Sequence, residues 1–176
     1  MKDASVYLDF TKDVFQFLIE NHELPEIPKK DIPDQLKEKR GIFIKIIHRE
    51  SESPIGTEGH ITADRPVHLN IRDILMQIVK GKELSGTSVE DYKLILSFPS
   101  PIKSCKDTTS VRLGEQGLFF RYMDLFSTVL PEEPMENDLD LSETLDLLVR
   151  RAEMDPSLFD WDNALYFTFT TEKIET

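Results

Sequence analysis

The chain has 176 residues, 39% hydrophobic and 31% charged, with one cysteine and a formal net charge of −12. This length fits one globular domain, or two small subdomains sharing one core, and a lone cysteine excludes an internal disulfide. No apolar stretch reaches the ~20 residues of a membrane helix, and Met1-Lys2-Asp3-Ala4 lacks the layout of a secretory leader, so the expectation is a cytoplasmic protein off the membrane.

The charge is uneven. Residues 131–176 hold 13 acids and 3 bases, against 20 acids and 18 bases in residues 1–130. Such a chain repels nucleic-acid backbones, and Lys29, Lys30, Lys37, Lys39 and Arg40 are interleaved with acids and lack aromatic stacking partners. No nucleic-acid partner is expected.

Apolar residues at Val6, Tyr7, Phe10, Val14, Phe17 and Leu18 follow helical spacing and predict an amphipathic N-terminal helix within residues 1–20. Pro25, Pro28 and Pro33 predict a long surface connection over 21–40. The β-branched run from Gly41 to His48 reads as a core strand, and Ile55 to Ile61 as a bend or short strand. Asn70 is the predicted cap of a helix from Ile71 to Lys80, with Gly81 as its left-handed stop. Tyr92 to Phe98 reads as a strand, Val111 to Tyr122 as two strands joined at a glycine-bearing turn, and Leu125 to Leu130 as a third. Ser142 is the predicted cap of a second long helix that buries Leu145, Leu148, Val149 and Ala152 and places Arg150 and Arg151 in its last turns. Asp155-Pro156 restarts a helical turn, and Tyr166 to Thr171 alternates as a half-buried strand does. The sum is an α+β fold, a mainly antiparallel sheet with flanking helices.

Chemical signatures are sparse. Gly56-x-x-Gly59 and Gly114-x-x-Gly117 lack the remaining residues of a dinucleotide or P-loop fingerprint, which leaves them as turn glycines. Cys105 beside Lys103 and Lys106 reads as an ordinary thiol rather than a nucleophile. His48, His60 and His68 have no metal-binding spacing, so no metal and no cofactor is assigned. The acid pairs Asp138/Asp140 and Asp160/Asp162 read as solvated surface, and the phenylalanines at 15, 17, 119, 120, 167 and 169 as core. Trp161, in Asp-Trp-Asp, is a candidate exposed anchor for a partner.

Several segments, taken in order, resemble the AMMECR-one domain family. Gly41-Ile-Phe-Ile-Lys resembles its first core strand, and Ser51-Glu-Ser-Pro-Ile-Gly-Thr57 stands in the place of its L-R-G-C-I-G-T signature. Gly117-Leu-Phe-Phe-Arg, Val129-Leu-Pro131, Leu145 to Ala152, Trp161 and Tyr166-Phe-Thr-Phe169 resemble its later hairpin strand, turn, helix, link and closing strand. The likeness covers about residues 40–174 and implies a single domain spanning 1–176. Of the signature, Ile55, Gly56 and Thr57 match, while its Leu, Arg, Gly and Cys are replaced by Ser51, Glu52, Ser53 and Pro54. Any anion or thiol chemistry of the arginine and cysteine is therefore expected to be absent.

The resemblance implies an α+β domain without an established activity and with a binding cleft near the signature. It further implies accessory partners of the Memo-like or radical S-adenosylmethionine kind. The expectation is a non-catalytic binding or regulatory protein that uses the loop around residues 53–60, with Ser53, Pro54, Ile55, Gly56, Thr57 and His60 as binding residues and none as catalytic. The alternative is a hydrolase or group transferase in the same cleft, built on Ser53, His48 or His60, and Glu52 or Glu58. Oligomeric state is not legible in the sequence.

Overall fold

The computed structural model describes residues 4–82, 84 and 88–176. Met1, Lys2 and Asp3 of the N-terminal reading lie outside the described residues. The fold is α+β, with two antiparallel four-stranded sheets. The chain forms two compact units, Met1–Phe98 with Lys173–Thr176, and Pro99–Glu172. The second is thus an insertion in the sequence of the first. Each unit holds its own apolar cluster.

In the first unit the sheet runs β2 (Pro54–His60), β1 (Ile42–His48), β3 (Tyr92–Pro99), β8 (Thr171–Glu175). Ile42, Ile44 and Ile46 alternate along β1 and are wholly buried, each contributing about 1.5–3 kcal/mol of hydrophobic stabilisation. Helix α1 (Ala4–Asn21) packs against α3 (Val67–Val79), and α3 packs on β1 and β2. The expected cap of α3 is corrected: the helix starts at Val67, after Pro66. Asn70 lies inside it and is buried, its Nδ2 donating to Arg40 O at 3.0 Å. Proline ahead of the first turn already supplies the non-helical entry that was assigned to asparagine. Gly81 does take the left-handed conformation, at φ 73°, just past the helix. The 21–40 segment is also more than a connection. It carries a 3-10 turn at Lys29–Asp31 and helix α2 (Asp34–Lys37), and it buries Ile32 and Leu36.

In the second unit the sheet order is β4 (Lys103–Cys105), β7 (Leu165–Phe169), β5 (Gly117–Tyr122), β6 (Leu125–Val129). The expected hairpin at Gly114 is corrected. The hairpin is β5–β6, it turns at Met123 with φ 54°, and residues 111–116 form no strand. Gly114, at φ 85°, donates its N–H to Pro131 O and closes a separate turn.

A short helix α4 (Glu133–Glu136) precedes α5 (Leu141–Arg151). The cap of α5 is Asp140, not Ser142. Its carboxylate accepts from Glu143 N–H at 2.9 Å while the Glu143 carboxylate accepts from Asp140 N–H at 2.9 Å, a reciprocal capping box. Leu148, Val149 and Ala152 are buried as expected, and Ser127 Oγ on β6 donates to Leu148 O at 2.6 Å. Trp161 is half-buried with its ring edge-on to Phe159, centroids 5.0 Å apart, which corrects the reading of an exposed anchor.

Candidate functional site

Residues 53–60 are not a loop. All but Ser53 lie in β2, an end strand of its sheet, where β-branched Ile55 and Thr57 suit extended backbone. The ladder to β1 runs Ile42↔His60, Phe43↔Gly59, Ile44↔Glu58, Lys45↔Thr57 and Ile46↔Gly56, then slips so that Ile47 faces Pro54. Ile55 is the extra residue of a β-bulge. Its carbonyl accepts from Lys82 Nζ at 2.5 Å, and the same ammonium donates to Ile78 O at 2.6 Å.

The two strand glycines have different neighbours. A Cβ on Gly56 would stand 3.1 Å from Ile78 Cγ2, so Gly56 lets α3 lie close over the strand. A Cβ on Gly59 would stand 2.3 Å from Phe43 Cδ1, because the Phe43 ring covers that position. Ser53, Pro54, Thr57 and Glu58 are exposed, whereas Ile55, Gly56 and His60 are half-buried.

The turn from β1 into β2 is closed by His48 N–H donating to Ser53 O at 2.9 Å, with Glu52 held at φ 54°. A non-glycine residue there costs roughly 1–2 kcal/mol. Ser53 Oγ donates to Ser51 O at 3.4 Å. The hydroxyl brought to a histidine is instead that of Ser51, 3.1 Å from His48 Nδ1, and Ser51 N–H approaches the same nitrogen at 3.4 Å. The sequence reading names Ser53, not Ser51, for such a contact. The tight turn stacks residues three apart, and no residue-type signal distinguishes Ser51 from Ser53.

The remaining candidates lie apart in the chain and have partners of their own. His68, on α3, has Nδ1 2.8 Å from Leu36 O. Cys105, half-buried on β4, points its thiol at Asp107 O, 3.3 Å away. Asp140 caps α5, and Asp160 accepts from Asn163 Nδ2 at 2.6 Å. Among the described residues no group of three or more His, Cys, Asp or Glu is arranged to hold a metal ion, and no helix is long and apolar enough to cross a membrane.

A family model described as AMMECR1 matches residues 9–174. Among solved structures, the crystal structure of the uncharacterised protein PH0010 from Pyrococcus horikoshii is similar, with a TM-score of 0.75 at 18% identity over 95% of this chain and 88% of that one. At that identity the likeness shows the fold. No curated protein matches the chain.

Proposed function

This chain belongs to the AMMECR1 family, and from that premise we propose that it is a non-catalytic accessory protein of the cytoplasm whose strand β2 receives a protein partner. The observation that carries this reading is the position of the signature segment on the end strand of a sheet. Past the bulge, Thr57 and Glu58 are exposed on backbone that bonds to β1 on one side. An extended segment of a partner adds to such an edge through main-chain hydrogen bonds, with the side chains setting specificity. The family resemblance makes a Memo-like or a radical S-adenosylmethionine protein the first partner to try.

The test is site-specific photo-crosslinking in the host cell, with a benzophenone amino acid at Thr57 or Glu58 and a control at exposed Glu115. One discrete adduct from both strand positions and none from the control is the expected result. Adducts of equal yield from all three positions, or none from the strand, would overturn the reading. Gly56 is unsuitable for this purpose, since a larger side chain there meets Ile78 before it meets any partner.

One observation favours a second reading, a hydrolase or group transferase. Ser51 Oγ lies within hydrogen-bond reach of His48 Nδ1, the contact an activated serine requires. A fluorophosphonate probe that labels the protein and fails to label Ser51→Ala would support this reading, and absence of labelling would remove it.

A further inference from the structure

The first unit contains a groove unrelated to β2. It is an open cavity of about 530 Å³ between α1 and the 25–36 segment. The helical spacing of Val6, Phe10, Val14 and Phe17 lays them along one wall, and Pro25, Ile27, Pro33 and Leu36 form the other. Val14 and Leu36 are wholly buried at its floor, while Phe10, Phe17 and Ile27 are half-buried and still show apolar surface. Arg72 Nη2 holds the second wall in place by donating to Pro25 O at 2.9 Å. The volume is that of a site for a small organic molecule.

Among the described residues the charged groups lining the groove have one sign: Asp9, Asp13 and Asp31 line it, all three exposed, and no lysine, arginine or histidine does. Asp9 and Asp13 sit one helical turn apart, where like charges repel. Of the bases nearby, Lys12 pairs with Glu90 at 3.3 Å and Lys37 with Asp34 at 2.8 Å, while Lys29 and Lys30 are exposed and do not line the groove. Among the described residues none of the three lining aspartates has an ion-pair partner. An apolar trough with an acidic rim is complementary to a molecule that has an apolar body and a positive end.

We propose that this groove binds a small cationic amphiphile, an alkyl or arylalkyl amine, with its apolar body along Phe10, Phe17 and Ile27 and its protonated nitrogen among Asp9, Asp13 and Asp31. The body gains hydrophobic contact with the exposed halves of Phe10 and Phe17. The nitrogen stays at the rim, hydrated and facing three carboxylates. The proposal stands independently of any partner at β2.

The experiment compares n-decylamine, decanol and decanoate, each below its micelle concentration, by amide chemical-shift titration of the whole protein. Decylamine is expected to move amides of α1 and residues 25–36, with an affinity that falls as salt rises. Decanol should bind more weakly and without salt dependence, and decanoate not at all. Asp9→Asn combined with Asp13→Asn should weaken decylamine roughly five- to twenty-fold and leave decanol unchanged. The control pair Asp124→Asn with Asp138→Asn removes the same charge from the other unit and should leave decylamine within about two-fold. Equal binding of decanoate would overturn the proposal. So would decylamine shifts spread over the acidic 131–176 region, an unaffected double variant, or no shifts with decylamine.

Discussion

Gly59→Ala and Gly56→Ala are the same substitution in one strand, and the structure separates them. At Gly59 the new methyl would lie 2.3 Å from Phe43 Cδ1, 2.5 Å from Cγ and 2.6 Å from Ile42 O. The ring must retreat by roughly 1 Å to reach ordinary contact, and Phe43 is only 7% exposed, so it has little room. Overpacking of this kind costs about 1–3 kcal/mol. Replacing a strand glycine with alanine returns about 0.5–1 kcal/mol of backbone entropy, which leaves a net loss of up to about 2.5 kcal/mol. At Gly56 the nearest atoms are Ile78 Cγ2 at 3.1 Å and the flexible end of Lys82 at 3.3 Å, so shifts of a few tenths of an ångström suffice. There the two effects nearly cancel, within about 0.5 kcal/mol. The assay is urea unfolding by far-UV circular dichroism, with amide exchange of Ile42 to Ile46 reporting the first unit separately. Phe43→Leu in the Gly59→Ala background should recover part of the loss. If Gly59→Ala proves as stable as Gly56→Ala, the steric reasoning is wrong.

Two further predictions concern the second unit. Asp140→Ala removes the half of the capping box that its carboxylate supplies, leaves the backbone N–H that donates to Glu143, and should cost α5 about 1 kcal/mol, seen as faster amide exchange in Ser142 to Thr144, whereas Ser142→Ala should change little. The Tyr166 hydroxyl is buried without a hydrogen-bond partner, and burial pushes its pKa up to about 12. Because the folded value lies above the ordinary value of 10.0, the stability tied to the neutral phenol is complete below pH 10 and is lost as pH rises toward 12. Tyr166→Phe should raise stability by up to about 1 kcal/mol at neutral pH and remove that alkaline loss. A pH-stability profile of the variant that overlays the wild type above pH 10 would refute this.

What was legible in the sequence was periodicity. Helices α1, α3 and α5 and strands β1, β3, β5, β6 and β7 follow from apolar spacing that repeats over a turn or a pleat. Helix starts were less legible, because Asn70 and Ser142 are good capping types placed near better ones, Pro66 and Asp140. β4 and β8 carry little apolar signal in Lys103-Ser-Cys105 and Thr171-Glu-Lys-Ile-Glu175, and pairing with neighbours makes them strands. At the candidate site, glycines, serines and a proline left a bend, a loop or a short strand open, and nothing in them showed that Gly56 and Gly59 serve close packing by α3 and Phe43. The amine groove was not legible at all. Its walls come from a helix and from a proline-bearing segment whose spacing carries no pattern, and they meet only through tertiary packing.

The chain leaves the first unit after Phe98 and returns to it at Lys173, and Thr176 N–H donates to Leu94 O at 3.1 Å while its hydroxyl accepts from Leu94 N–H and from Arg49. On a ribosome, β1, β2 and β3 emerge early, yet their fourth strand is translated only after the whole inserted unit. The edge of β3 therefore stays open for as long as the intervening residues take to be made, several seconds at about 5–20 residues per second. During that interval the nascent first unit is a three-stranded sheet with an unpaired inner edge, the form most exposed to mispairing with another chain. The insertion can close its own sheet before then, since its strands all lie between Lys103 and Phe169. Folding during synthesis, then, is expected to close the inserted unit before the first, with β8 acting as the latch.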